Sequence, residues 1–375
     1  MWKCIALTAT LAMSCTSTSA DALPSGTTSP VSVATNATAF PTANALPGTT
    51  FSMPTTDDMI TFAADRGALI AFSTLTASPS VFHSKVQRAD APSGPWKTVY
   101  ETDALWLGGS VGGGRAAIVE YRELRQVGVG AYSADITVID LDNGKATAID
   151  HFSMSPATFR GGGSAPRRPN SALVIGADAV AWTRLIEGPP GTVTGELRVA
   201  SLTDLSRPIV IGSSADWVSP LGFAGRRLVY VTATKTEEQL HLRDLDTTTD
   251  RIVATGPVGR TEIGEVPAWD QAQITGHWAV SVDRSGRTPN EPMRILDLDT
   301  GAERTFPKDV DCGFPQSVGR RYIVWCSAIL DAGTLAPVSL ALKSTDRGVI
   351  ASDDGLIWFD VSFTPRRGVL YRPRP

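Results

Sequence analysis

Four tryptophans stand where indole rings could meet a ligand. Trp106, Trp217, Trp269 and Trp358 each precede a hairpin turn of their own stretch of chain by about seven or eight residues. Equivalent placement makes a partial ring of flat, amphipathic faces, and such a ring can stack a sugar or grip a peptide. The other use of repeated aromatics is packing, in which they fill the tapered space between neighbouring sheets. Both uses stay open at the level of sequence.

Other reactive-looking patterns carry less. Gly108-Gly109-Ser110-Val111-Gly112 satisfies the GxSxG pattern of serine hydrolases. That chemistry needs a sharp strand-to-helix elbow, whereas this stretch is glycine-rich strand with no helix after it. Ser352-Asp353-Asp354-Gly355-Leu356-Ile357-Trp358 and Ala89-Asp90-Ala91-Pro92-Ser93-Gly94-Pro95-Trp96 are loose forms of the Asp-box of sialidases. The Asp-box is a structural turn, and no pattern here assembles the arginines and carboxylates of a glycosidase. His83, His151, His241 and His277 each sit alone on or near a strand, as structural histidines do. Asp140-x-Asp142-Asn143-Gly144 begins like a calcium loop but lacks its distal carboxylates, and reads as a turn. No Cys-x-x-Cys or Cys/His cluster occurs. We expect no catalytic residue, no metal site and no cofactor.

Two cysteines of the body, Cys312 and Cys326, flank Gly319 symmetrically. On opposite arms of a hairpin such residues face each other. In an oxidising compartment they are expected to form a disulfide, the alternative being two buried thiols.

The first residues read as an address. A short apolar run from 4 to 14 suits a signal peptide and is too short to span a bilayer. Leu11-Ala12-Met13-Ser14-Cys15 is similar to the bacterial lipobox, in which the cysteine is lipidated and becomes the first mature residue. Cleavage after Ala20 or Ala22 is the competing expectation and gives a freely secreted protein. Residues 16–56 are rich in Thr, Ser, Ala and Pro and poor in large apolar groups, and read as a disordered tether. Part of that segment is expected to complete the last repeat of the body.

The body, residues 57–375, repeats one phrase. A turn bearing Gly or Arg recurs at Arg66-Gly67, Gly114-Arg115, Gly176-Ala177, Gly225-Arg226, Gly276-His277, Gly319-Arg320 and Arg367-Gly368. Each is followed by a nearly continuous apolar run such as ALIAF, AAIVEY, AVAWTRL or RLVYVTA, the composition of a strand buried on both faces. Third strands run into turns at ITVIDLDNGK (136–145), LRVASLTDLS (197–206), LHLRDLDTTT (240–249), MRILDLDTGA (293–302) and VSLALKSTDR (338–347). A four-stranded unit repeating about every 43 to 62 residues predicts an all-β chain forming one β-propeller. About seven blades are expected (six is the alternative), with the outer strands of the last supplied as a clasp from before residue 57.

Phe223-Ala-Gly-Arg-Arg-Leu-Val-Tyr230 and Phe363-Thr-Pro-Arg-Arg-Gly-Val-Leu-Tyr371 carry a family resemblance. The chain resembles the TolB-like, WD40-like propellers of bacterial envelope proteins over most of 57–375, which implies a binding scaffold. The chain of 375 residues is 42% hydrophobic and 19% charged with a net charge of -4, so no basic stripe marks it for nucleic acid. We expect an exported, lipid-anchored propeller on the cell surface or in the periplasm, binding an envelope protein, peptide or glycan. The alternatives are a propeller enzyme, glycosidase or lyase, and a purely structural assembly component. Long insertions at 122–134 and 159–170, with Arg160, Arg167 and Arg168, read as solvated loops.

Overall fold

The computed structural model describes residues 49–52, 59–78, 81–91, 94–106, 109–121, 132–154, 172–189, 192–214, 217–261, 264–266, 269, 272–282, 293–306, 317–318, 322–325, 328–336, 347–351, 356–360 and 367–371. The chain divides into two compact units, 1–39 and 40–375, and the described residues belong to the second. They contain strands and turns but no helix, so none is long and apolar enough to cross a membrane.

After β1 (Thr49–Ser52), the strands enter antiparallel sheets in chain order. The first sheet holds β2 (Met59–Asp65), β3 (Ala68–Ser78), β4 (Val81–Ala89) and β5 (Lys97–Thr102). The second holds β6 (Gly109–Gly112), β7 (Arg115–Tyr121), β8 (Tyr132–Asp140) and β9 (Ala146–Met154). The third holds β10 (Leu173–Ile175), β11 (Ala179–Glu187), β12 (Val193–Ser201) and β13 (Asp204–Ser214). The fourth holds β14 (Trp217–Ala224), β15 (Arg227–Ala233), β16 (Glu237–Asp244) and β17 (Asp250–Pro257). A small hairpin, β18 (Gly259–Thr261) and β19 (Gly264–Val266), precedes the fifth sheet. That sheet is β20 (Gln273–Thr275), β21 (Trp278–Val282), β22 (Met293–Asp297) and β23 (Glu303–Phe306). Three described strands form the sixth: β24 (Ser317–Val318), β25 (Tyr322–Trp325) and β26 (Ala328–Asp331). The last sheet joins β27 (Arg347–Ala351), β28 (Leu356–Asp360) and β29 (Arg367–Tyr371) to β1, with Thr49 opposite Leu370 and Ser52 opposite Arg367.

Burial peaks in the second strand of a sheet and falls outward from it. β11 has five consecutive buried residues, β12 alternates, and β13 is mostly exposed. This gradient matches the continuous apolar runs read in the sequence, because a strand covered on both faces has no solvent side to make polar. First strands of consecutive sheets are neighbours, β6 beside β10 and β10 beside β14. Close approach there uses glycine: a Cβ on Gly222 would lie 2.9 Å from Cβ of Ile274. The two-residue turn Gly113–Gly114 has φ of 61° and 78°, a left-handed pair that side-chain-bearing residues rarely adopt.

The core is a series of seams, each filled by two neighbouring sheets. Ile70, Phe72 and Ile118 fill the first seam. Ala117, Ile136, Val180 and Trp182 fill the second. Ala181, Leu197, Leu228 and Tyr230 fill the third. Val231, Leu240, Ala279 and Leu296 follow, then Val280, Ile295, Ile323 and Leu330.

Two sequence expectations need correction. The third strand of the sixth sheet is β26, not 338–347, and the turn after it is Asp331-Ala332-Gly333-Thr334. Arg347, assigned above to that third strand, instead begins β27, the first strand of the last sheet. Consequently Arg367–Gly368 is not a first hairpin but the start of β29. The pairing found for the clasp is one strand, β1 on β29, where more than one was expected. The cause is a short β26 whose turn lacks the Asp-Leu-Asp spelling of the second, fourth and fifth sheets.

Candidate binding site

The Asp-Leu-Asp turns do three jobs at one end of the sheets. The first carboxylate caps the turn: Asp244 Oδ1 accepts N–H bonds from Asp246 at 2.9 Å and Thr247 at 2.8 Å, and Asp297 does the same for Asp299 and Thr300 at 2.8 and 3.2 Å. Backbone N–H groups accordingly hold the Asp244 carboxyl below its usual range. The leucine turns inward, and its N–H donates to the first hairpin of the same sheet: Leu141 to Gly114, Leu245 to Arg226, Leu298 to His277. The second aspartate meets an arginine. Asp142 pairs with Arg88 of the preceding sheet, and Asp299 pairs with Arg227 of the preceding sheet. Arg88 holds the Asp142 carboxyl below its ordinary value. The expected turn at Asp140 is therefore what the structure has, and among the described residues no acidic or histidine cluster is placed to hold a metal.

Two adjacent seams solve the same packing problem differently. The fourth residue of β11 is Trp182 and the fourth residue of β15 is Tyr230, and both face the preceding sheet. Trp182 is fully buried, and its indole N–H donates to Asp150 of β9 at 2.7 Å. Arg184 donates to the same carboxylate at 2.9 Å, and Arg198 stands 3.6 Å away. A large side chain and a satisfied buried carboxylate thus close the seam between the second and third sheets.

Tyr230 fills less space. Its hydroxyl bonds Asp250 of its own sheet, and its ring stacks on His241 with centroids 4.5 Å apart. Burial, aided by the Asp250 carboxylate, pushes the phenol above its usual range. Burial also pushes His241 down, against the opposing pull of Asp250. At its turn end the third seam opens into a cleft of about 230 Å³. Its apolar wall comes from Ala179, Val199, Phe223 and Leu245, with Ile209 of β13 on the outer side. Asp178, Ser201, Arg207 and Arg226 supply its polar groups. Arg226 is clamped on Asp246 by bonds of 2.7 to 2.9 Å and reaches Asp178 at 3.5 Å. Arg207 is 87% exposed, and its ion-pair partner, Asp204, stands 3.6 Å away. A cleft of this volume, apolar inside and cationic at one edge, can take an apolar side chain with a carboxylate beside it.

The tryptophans are dispersed. Trp106 is 2% exposed and meets Phe72 edge-on in the first seam, with centroids 6.3 Å apart. Trp269 is 0% exposed in the fourth seam, with the Arg294 guanidinium 4.6 Å over its ring and no hydrogen-bond partner for its indole nitrogen. Trp217 begins β14 and is half-buried against the same cluster as Trp269. Trp358 lies in β28, the second strand of its sheet rather than a first strand, and its side chain is outside the described residues. Cys15, Cys312 and Cys326 also lie outside them, as do Arg160, Arg167 and Arg168. Ser110 of the GxSxG pattern is in β6, where its hydroxyl accepts the N–H of Ile175 at 3.1 Å, a strand-to-strand contact. His83 meets Glu101 and Asp103, and His151 meets Asp135 at 2.6 Å. No sequence pattern marked the cleft, whose lining residues come from two sheets and meet only in the fold.

Comparison with solved structures agrees with the propeller fold. The chain is similar to the uncomplexed acylaminoacyl peptidase of Pyrococcus horikoshii, at 9% identity and a TM-score of 0.53, covering 83% of this chain and 51% of that one. It is similar to TolB from Acinetobacter baumannii, at 16% identity and a TM-score of 0.44, covering 81% of this chain and 63% of that one. It is also similar to the β-propeller domain of the Trilobed protease from Pyrococcus furiosus, at 9% identity and a TM-score of 0.49, covering 84% and 94%. The chain thus spans about half the length of the peptidase and less than two thirds of TolB. No family model matches the chain, and no curated protein matches it. The body is a β-propeller, and a TolB-like propeller is among the structures it resembles.

Proposed function

We propose that this chain is an exported, lipid-anchored propeller that holds a protein, peptide or glycan partner in the cell envelope and performs no chemistry on it. Residues 1–15 are its lipoprotein signal peptide, Cys15 carries the lipid, residues 16–56 are the tether and residues 57–375 the body. The body is a ring of seven blades. In support, β27 lies beside both β24 and β2, and β1 adds a fourth strand to the C-terminal sheet. Closing the ring this way leaves no inner sheet edge exposed.

The observation that carries the reading is the cleft of the third seam. It is held open between turns clamped by Arg226, Asp246 and Asp178, so its shape is set before a partner arrives. Trp106 and Trp269, buried in their seams, act as packing; Trp217, half-buried at the start of β14, remains the indole to test for contact with the partner.

Two experiments test the proposal. Envelope extract is passed over the wild-type body, an Ala179→Leu body with the cleft filled, and a Trp217→Ala body. A partner held by the wild type and lost from a stably folded Ala179→Leu body supports the reading; equal capture by those two overturns the cleft as its place. Metabolic labelling with a radioactive fatty acid tests the anchor: label is expected in the wild type and absent in Cys15→Ser, and an unlabelled wild type ends the lipoprotein assignment.

A further inference from the structure

The outer strand of the third sheet is unlike its neighbours. β13 spans Asp204–Ser214, and on its inner side it pairs with β12, with Val199 opposite Ile209 and Arg198 opposite Val210. Among the described residues no strand pairs with its other edge, where β13 ends the sheet. Such an edge presents a row of backbone donors and acceptors to any extended chain that approaches it.

Edges of this kind are usually blunted by charge or by shortness. β13 carries Asp204, Arg207 and Pro208, and beside them it puts two consecutive large apolar residues in water, Ile209 at 52% and Val210 at 54% exposed. Ile252 of β17, 49% exposed, lies opposite His241, whose ring stacks on Tyr230 in the third seam. Exposed apolar side chains therefore collect on the outer strands of the two sheets that flank the cleft. Within β13, Ile209 lines the cleft, and so does Arg207, two residues earlier on the same face.

We propose that the free edge of β13 docks an extended peptide of a partner protein, which sets one apolar side chain in the cleft beside Ile209 and an acidic side chain against Arg207. The inference rests on the binding-scaffold reading and adds the chemistry of the occupant. Alternation in a strand decides the spacing, since side chains two residues apart point to one face, as Ile209 and Arg207 do. The acidic preference comes from Arg207, whose guanidinium is exposed and only loosely held by Asp204. Pro208 offers no N–H, so the peptide must register around that gap.

The test is fluorescence anisotropy on the full chain with a labelled peptide, Thr-Glu-Thr-Phe-Thr-Glu-Thr, whose Glu and Phe share one face, and its counterpart with both Glu replaced by Lys. The acidic peptide is expected to bind at about 1–100 μM and the basic one about tenfold more weakly. Ile209→Lys, at an exposed position, should fold normally by its melting curve and weaken the acidic peptide about tenfold or more. Arg207→Glu should reverse the preference between the two peptides. Equal binding of the two peptides, no binding of either, or an acidic peptide indifferent to Ile209→Lys overturns the proposal. A wild-type dimer that Ile209→Lys dissociates in sedimentation also overturns it, because the edge is then covered by a second copy. If the peptides fail while Ala179→Leu still abolishes capture of the envelope partner, the scaffold reading stands and only this occupant falls.

Discussion

The second and third seams put different aromatic side chains at matching places, Trp182 and Tyr230, and the third also carries a cleft at its turn end. Trp182 reaches across to Asp150 of the neighbouring sheet and ties two sheets together. Tyr230 packs its ring against the third sheet but turns its hydroxyl to Asp250 of its own sheet, so its hydrogen bond does not cross the seam. The first arrangement leaves the seam full. The third seam has, at its turn end, a cleft bordered by an outer strand with exposed apolar residues.

The largest test of this contrast is truncation. Trp182→Ala should cost about 3–5 kcal/mol in urea unfolding, from the cavity and from Arg184 and Asp150 left without the indole. Tyr230→Phe, which removes only a hydroxyl bonded within one sheet, should cost about 0.5–1.5 kcal/mol. Equal costs would dissolve the contrast. Overfilling comes next. Ala117→Leu enters the closed second seam, where Ala117 is fully buried, and should destabilise by about 1–3 kcal/mol. Ala179→Leu enters the cleft and should cost less than about 1 kcal/mol. A large loss in the second variant would mean that the third seam is already full.

The smallest effect is on pH dependence. Burial depresses His241 in the folded chain, while the unfolded chain takes its proton near the ordinary histidine value of about 6.5. Protons therefore favour the unfolded state, and this contribution to stability falls as pH drops through about 6.5. His241→Gln should flatten the slope of unfolding free energy between about pH 7.5 and 5.5, measured in parallel urea titrations. An unchanged slope would place the titration elsewhere.

Much of the scaffold could be read from residues in order. Continuous apolar runs after glycine turns gave the two-sided strands, and Asp-x-Asp spellings gave the capped turns, because both depend on neighbours in sequence. The clamps between sheets could not be read this way. Arg88 and Asp142 are 54 positions apart, Arg227 and Asp299 72, and ordinary surface arginines look the same in a string. The tryptophans show the limit from the other side. Equivalent spacing marked Trp106 and Trp269 correctly as repeated features, but whether an indole faces a channel or a seam depends on a neighbouring sheet that contributes residues far along the chain. The cleft is likewise assembled from residues far apart in the chain, Ala179 and Val199 from one sheet and Phe223 and Leu245 from the next, so no local spacing spells it.

The most direct measurement is photocrosslinking in the living envelope from two outer strands, with a photoreactive phenylalanine analogue at Ile209 of β13 or at Ser153 of β9, an exposed position on the second sheet. The account predicts a discrete adduct from position 209 and none from position 153. Adducts of equal yield at both positions, or from position 153 alone, would contradict it.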